Sequence, residues 1–181
     1  MPVDIRVNYD DLCLLPNDGE RYEIIDGELF VTPASDFLHQ IIVTRLSHIL
    51  QTYLDDHPLG LVLVSPFDVV FSQFDVIEPD ILYISNPRKS VLTEKNAQGS
   101  PNLVVEVLSQ STAKTDRTLK LKLYARFEVD EYWIIDPEGP SAEIYRREKG
   151  GLEPAVKLDA KDSLTSPLFP GFSLALEKLA E

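Results

Sequence analysis

In the stretch Asn102 to Thr112, NLVVEVLSQST, one residue is out of keeping: Glu106 interrupts the otherwise apolar run Leu103 to Leu108. Such a run reads as a buried strand. An ionised carboxylate withdrawn from water is costly unless a cation or several hydrogen bonds meet it, so the sequence demands a partner for Glu106. A second carboxylate, Asp80, follows Pro79 and opens the apolar segment Ile81 to Ile84. If the two segments are neighbouring strands, the carboxylates converge, and either a metal ion or a raised pKa on one of them must relieve their repulsion. Oxygen-only donors suit a hard cation, Mg2+ or Mn2+.

The segment after Glu106, STAKTDRTLKLKLYARF, carries Lys114, Arg117, Lys120, Lys122 and Arg126 against the single acid Asp116. It is a local basic patch in an acidic chain. Bland readings stand beside the chemical ones. Glu106 could simply pair with Lys120 or Arg117, and Asp80 could be an ordinary strand-edge acid after a proline. Lys120 stands four residues after Asp116, a spacing that supports a helix by about 0.2–0.5 kcal/mol. His39 opens a helical pattern whose apolar face is core, where a lone histidine is more often structural. Glu23, Asp26 and Glu28 surround a turn, where acids are common, with Glu28 the one expected to face the site. Tyr132 and Trp133 lie in an apolar strand pattern, and at least one of them is expected in the core.

The elements that must position these residues follow from periodicity. Tyr22 to Ile25 and Leu29 to Val31 flank Asp26-Gly27, a strong hairpin signal. Leu38, Ile42, Leu46, Ile49 and Tyr53 repeat at helical spacing, with Ser35 or Asp36 available as a cap. Strands are expected at Leu61 to Val64, Phe67 to Phe71, Glu78 to Ser85 and Leu103 to Leu108. A second helix is expected from Leu119, Leu123 and Phe127. The strand EYWIIDP follows, then a hairpin of Ala142 to Arg147 with Glu153 to Leu158 around Gly150-Gly151, and a short C-terminal helix in FSLALEKLAE. The order predicts a mixed α/β sheet with a helix on each side.

Composition sets bounds on this reading. A chain of 181 residues with 44% apolar content can bury a full core and is expected to form one domain over residues 1–181. The lone Cys13 offers no internal disulfide or Cys/His zinc site, which predicts a reducing, cytoplasmic setting. Neither a signal peptide nor a run long enough to span a membrane is evident. Seventeen basic residues against thirty acidic ones give −13, which argues against nucleic-acid binding driven by overall charge.

The segments YEIIDGEL, DFLHQ, EPDILYIS, NLVVEVLSQST, DRTLKLKLYARF, VDEYWIIDP and SPLFPGF, taken in that order, resemble the Uma2 family of the PD-(D/E)xK nuclease superfamily, from about Tyr22 to Phe172. The resemblance implies a restriction-endonuclease-like fold and a metal-dependent DNA endonuclease. Asp80 and Glu106 would hold Mg2+ or Mn2+. Where the superfamily pattern expects a lysine two residues after Glu106, this chain has Leu108. Lys120 matches the helix lysine of Uma2-like sequences and would stabilise transition-state charge, with Lys122 second. Glu28 or His39 would complete the site, and Lys114, Arg117 and Lys122 would meet the phosphate backbone. A homodimer is expected of restriction-type enzymes. Leu108 and the acidic surface keep open a competing expectation, a catalytically silent binding module on the nuclease fold.

Overall fold

The computed structural model describes residues 6–139 and 141–179. A one-turn helix α1 (Tyr9–Leu12) precedes the hairpin of β1 (Arg21–Ile25) and β2 (Glu28–Thr32). The hairpin turns on Asp26 and Gly27, both at positive φ (52° and 81°), the backbone that a two-residue turn of this kind requires. Asp36 caps α2 (Phe37–Asp56), its side chain accepting from the His39 backbone N–H at 2.9 Å. The buried stripe of α2 runs through His39, Ile42, Leu46, Leu50 and Leu54, so His39 lies on the inward face at the helix start.

Four strands follow: β3 (Gly60–Val64), β4 (Val69–Ser72), β5 (Asp75–Ile77) and β6 (Ile81–Ser85). After the 3-10 segment Asn86–Val91 and the two-residue β7 (Ala97–Gln98) comes β8 (Leu103–Val107), the strand that holds Glu106. Beyond it the expected second helix forms in three pieces: an α turn Ala113–Thr115, a π turn Asp116–Lys120 and an α segment Leu121–Arg126. Then come β9 (Glu131–Asp136), the long hairpin β10 (Ser141–Glu148) and β11 (Gly151–Leu158), β12 (Ser163–Leu164), β13 (Leu174–Ala175) and the 3-10 segment Leu176–Leu179. The expected C-terminal helix is therefore a short strand and a 3-10 turn as far as residue 179; residues 180–181 of that expectation lie outside the described residues.

The central sheet has the order β11-β10-β9-β8-β6-β3. Within it β8 runs parallel to β9 and antiparallel to β6, so the sheet is mixed, as the pattern predicts. A second sheet, β2-β1-β5-β4-β7, includes a strand that the sequence reading did not separate, β5, only three residues long. Alternation along β8 sends Leu103, Val105 and Val107 to one side, where they pack with Trp133, Ile135 and the α2 stripe. Val104 and Leu108 face the other side, against Tyr132, Ile134, Leu123 and Tyr124. Tyr132 and Trp133 are both fully buried, one on each face, and both are core.

Glu106 shares parity with Val104 and Leu108, so it points to the side of the three-piece helix. That helix does not bury the expected Leu119, which is 37% exposed. Its inward stripe is Asp116, Lys120, Leu123 and Tyr124, so two charged residues lie in phase with the apolar ones and meet the carboxylate on β8.

Candidate active site

The antiparallel register brings the two predicted carboxylates together. Ile81 pairs with Val105 and Leu82 with Val104, which sets Asp80, the residue just before the ladder, beside the end of β8, where its Oδ2 accepts from the Val107 backbone N–H at 2.8 Å. The site therefore sits where β6 begins and β8 ends.

Asp80 is buried, and both of its oxygens are engaged. Oδ1 accepts from the Arg21 guanidinium at 2.8 Å; Oδ2 accepts from the Val107 backbone N–H at 2.8 Å and lies 3.0 Å from His39 Nε2, which donates when the ring proton is on that nitrogen. Burial works against its charge, but the His39 hydrogen bond and the Arg21 charge outweigh it and hold the carboxyl down at about 2. Arg21 also reaches Glu78 at 3.3 Å and is held above its ordinary value by the surrounding acids, Asp80 foremost, despite partial burial.

Glu106 has the opposite environment. Its Oε1 accepts from Lys120 Nζ at 3.0 Å and from the Tyr124 hydroxyl at 2.7 Å. Among the described residues no hydrogen bond falls on Oε2. Burial pushes the Glu106 carboxyl well up, and Lys120 only partly opposes this because Asp80, Asp116 and Glu23 add to the rise. The Tyr124 hydroxyl is likewise pushed far up by burial and by Glu106, so it stays a donor.

Lys120 is the hub. Its ammonium, 2% exposed, donates to Glu106 and to Glu23 Oε1, each at 3.0 Å, and lies 3.6 Å from Asp116 Oδ1. Burial disfavours its charge, but Glu106, Glu23 and Asp116 more than restore it, so it remains an ammonium. Glu23 also accepts from the Glu78 backbone N–H at 3.1 Å. Leu108, where the superfamily pattern expects a lysine, is buried among the apolar residues of the same face and leaves the cationic position to Lys120.

The remaining sequence-predicted residues divide. His39 joins the site through Asp80. Glu28 does not: it is exposed at the hairpin turn, paired across the ladder with Ile25, and Glu23 takes the place expected of it. Lys122 and Lys114 are exposed, pointing away from the buried stripe. Arg117 is exposed too and pairs with Glu143 at 2.9 Å, while Arg126 is held by Asp26 and Asp75, so acids partly neutralise the basic patch. Arg21, Glu23, Asp116 and Tyr124 are the site residues that sequence reasoning missed.

A cleft of about 120 Å³ opens onto Arg21, His39, Asp80, Glu106 and Lys120 and is roofed by Ser109, Ser111 and Thr112. It shares Asp36, Ser109 and Ser111 with a wider groove of about 540 Å³ that also reaches Gln110 and Arg117. Four buried carboxylates, Glu23, Asp80, Glu106 and Asp116, thus share the site with two fixed cations, Lys120 and Arg21. Carboxylates, Glu78 beside Arg21 included, outnumber the fixed cations, and the excess is balanced by protons, His39 among their carriers, or by a bound cation. Among the described residues no three His, Cys, Asp or Glu side chains stand together in metal-holding geometry. A Mg2+ or Mn2+ ion, if held here, would have Asp80 and Glu106 as its protein ligands, since such ions take few carboxylates. The unpaired Glu106 Oε2 and the charge deficit fit that donor set.

Comparison with known proteins bears on the same architecture. A crystal structure described as "a putative nuclease belonging to DUF820" from Anabaena variabilis ATCC 29413 superposes with a TM-score of 0.80, covering 96% of this chain and 97% of that one at 17% identity, and shares the fold. Two uncharacterised proteins of Synechocystis sp. (strain ATCC 27184 / PCC 6803 / Kazusa) align as well. One, slr1290, is 28% identical over 80% of this chain and 76% of its own length; the other, sll1609, is 25% identical over 71% and 73%. Among the described residues no helix is long and apolar enough to cross a membrane. The model of one family, described as "Putative restriction endonuclease", matches residues 7–177, and the chain belongs to that family, Uma2.

Proposed function

We propose that the protein is a metal-dependent endonuclease that hydrolyses phosphodiester bonds in DNA. The observation that carries this reading is that Asp80 and Glu106 line one cleft, with the Lys120 ammonium 3.0 Å from Glu106 Oε1. When bound between the two acids, a divalent cation supplies Lewis acidity, making water a better nucleophile near neutral pH and polarising a phosphoryl oxygen.

The chain's own residues do the rest. Arg21, His39 and the Val107 N–H fix Asp80 as an ionised, oriented acceptor. With no cation bound, Tyr124 and Lys120 orient Glu106 by holding Oε1, which leaves Oε2 without a hydrogen bond among the described residues. Lys120 provides a permanent positive charge for the developing phosphorane, and Glu23 keeps it there. Arg117 in the wide groove, with exposed Lys114 and Lys122 on the same helix, meets the phosphate backbone locally, so the net −13 does not forbid DNA as substrate. Cutting both strands of a duplex calls for two such sites, which supports a homodimer, and the exposed free thiol of Cys13 fits a reducing cytoplasm. The single family match over residues 7–177 supports reading the chain as one domain.

The test is cleavage of supercoiled and single-stranded DNA, and of RNA, in Mg2+, Mn2+ or EDTA, by wild type and by Asp80→Ala, Glu106→Ala and Lys120→Ala. Metal-dependent cutting that falls at least about a hundredfold in each variant is expected. If folded wild type never cuts, or if the variants cut as well as it does, the enzyme reading gives way to a silent binding module.

A further inference from the structure

Asp116 is the buried acid of the site whose hydrogen bonding is left open. Neither of its buried carboxylate oxygens makes a hydrogen bond of ordinary geometry among the described residues, although, against burial, the Thr112 side chain is near enough to lower its pKa, and its nearest cation, Lys120 Nζ, stands at 3.6 Å, beyond hydrogen-bond reach. An unsatisfied buried carboxylate is expensive, so a fold that keeps one has a use for it or a partner for it in another state. The partner is close by. An ammonium has three donors, and Lys120 spends only two, on Glu23 and Glu106. Asp116 and Lys120 open and close the same π turn, a helix form that interrupts α-helices mostly at functional sites.

Lys120 cannot stay where it is through the proposed reaction, on which this inference rests. It holds Glu106 Oε1, and a divalent cation on the same carboxylate would repel an ammonium so close by. We propose that Asp116 is a positioning residue that receives the Lys120 ammonium when a divalent cation takes Glu106. Glu23 remains bonded as the pivot, and a shift of well under one side-chain length closes the gap from 3.6 Å to a hydrogen bond. The lysine is then kept beside the reacting phosphate without competing for the acid that holds the metal.

The proposal is tested by Mn2+ affinity, measured calorimetrically without substrate, on wild type, Asp116→Asn, Lys120→Met and the double variant. Asp116→Asn should raise the Mn2+ Kd about tenfold in the wild-type background, as loss of an outer-shell support commonly does. It should leave the Kd unchanged in the Lys120→Met background, where no ammonium needs receiving. An equal loss in both backgrounds would mean that Asp116 acts only through its charge, which overturns the proposal and leaves the metal site standing. No loss in either background overturns it as well. A wild type that takes up no Mn2+ overturns both the metal site and the proposal. Should Lys120→Met not fold, the 15N resonance of the Lys120 ammonium serves instead. It should move on Mg2+ addition in wild type and exchange away in Asp116→Asn; a resonance that stays put while calorimetry records Mg2+ binding contradicts the exchange.

Discussion

Removing the Lys120 ammonium should destabilise the protein by an amount that grows with pH. In Lys120→Met the apolar stem is roughly preserved, but Glu23, Glu106 and Asp116 lose the cation that lies 3.0, 3.0 and 3.6 Å from them. Deleting one partner of a buried ion pair costs about 3–5 kcal/mol, because the other is stranded in a poorly solvating interior. Lys120 is the largest influence lowering both the Glu106 and the Asp116 carboxyl, each already raised by burial, so without it both rise further. An acid whose folded pKa is raised contributes stability that is full below its unfolded value and lost as pH rises through the folded one. The stranded acids can therefore protonate and relieve the variant at low pH but not at high pH. At pH 8 the loss should be about 4 kcal/mol, a fall in Tm of about 10 °C for a chain of this size. At pH 5, where Glu106 is already neutral and chiefly hydrogen bonds are missing, it should shrink to about 2 kcal/mol. Urea denaturation followed by circular dichroism at the two pH values measures both figures. A loss below about 1 kcal/mol, or one equal at pH 5 and pH 8, would show that the ammonium does not stabilise these buried acids through its charge.

Two further outcomes follow from the geometry. Glu23→Gln, which weakens the contacts with Lys120 and the Glu78 N–H, should cost about 1–3 kcal/mol in urea melts, whereas Glu28→Gln at the exposed turn should stay within about 0.5 kcal/mol; the reverse ranking would move the site to the other side of the hairpin. Asp80, held down at about 2, contributes stability that is present above its unfolded value near 4 and lost as pH falls toward 2, about 2 kcal/mol in all at 1.36 kcal/mol per unit. Asp80→Asn should therefore flatten part of the acid limb between pH 5 and pH 3, and a variant with the wild-type slope would contradict the buried pairing.

The parts of the fold legible in the sequence are those with a local cause. Asp26-Gly27 announces its hairpin because only a few residue pairs tolerate that turn, and Asp36 announces α2 because a short side chain can reach the first free N–H groups. Glu106 is visible because nothing else polar interrupts its strand. Arg21 and Glu23 are not visible, since the groups that bury them, Asp80 and Lys120, lie 59 and 97 residues away in the chain. The hairpin signal fixes where the chain turns without saying which of its flanking acids faces inward, which is why Glu28 was expected where Glu23 is found. In the helix after β8, a search for apolar repeats finds Leu119, Leu123 and Phe127, whereas the inward stripe mixes Asp116 and Lys120 with Leu123 and Tyr124. Polar residues spaced by four and in phase with a core leucine were the available clue.

The antiparallel ladder between β6 and β8 also sets which lengths of chain the protein can tolerate. Because the ladder of Ile81–Tyr83 with Leu103–Val105 fixes which way Glu106 points, a one-residue insertion within Leu103–Val105 would turn that acid to the opposite side of the sheet and dismantle the site at a stroke. Residues 86–102, which join the two strands, carry no such constraint on the acids. Where relatives of this chain differ in length, the part of that connection outside β7 and the buried Asn96 and Asn102 can take up the change, while the two strands that address the carboxylates must keep step.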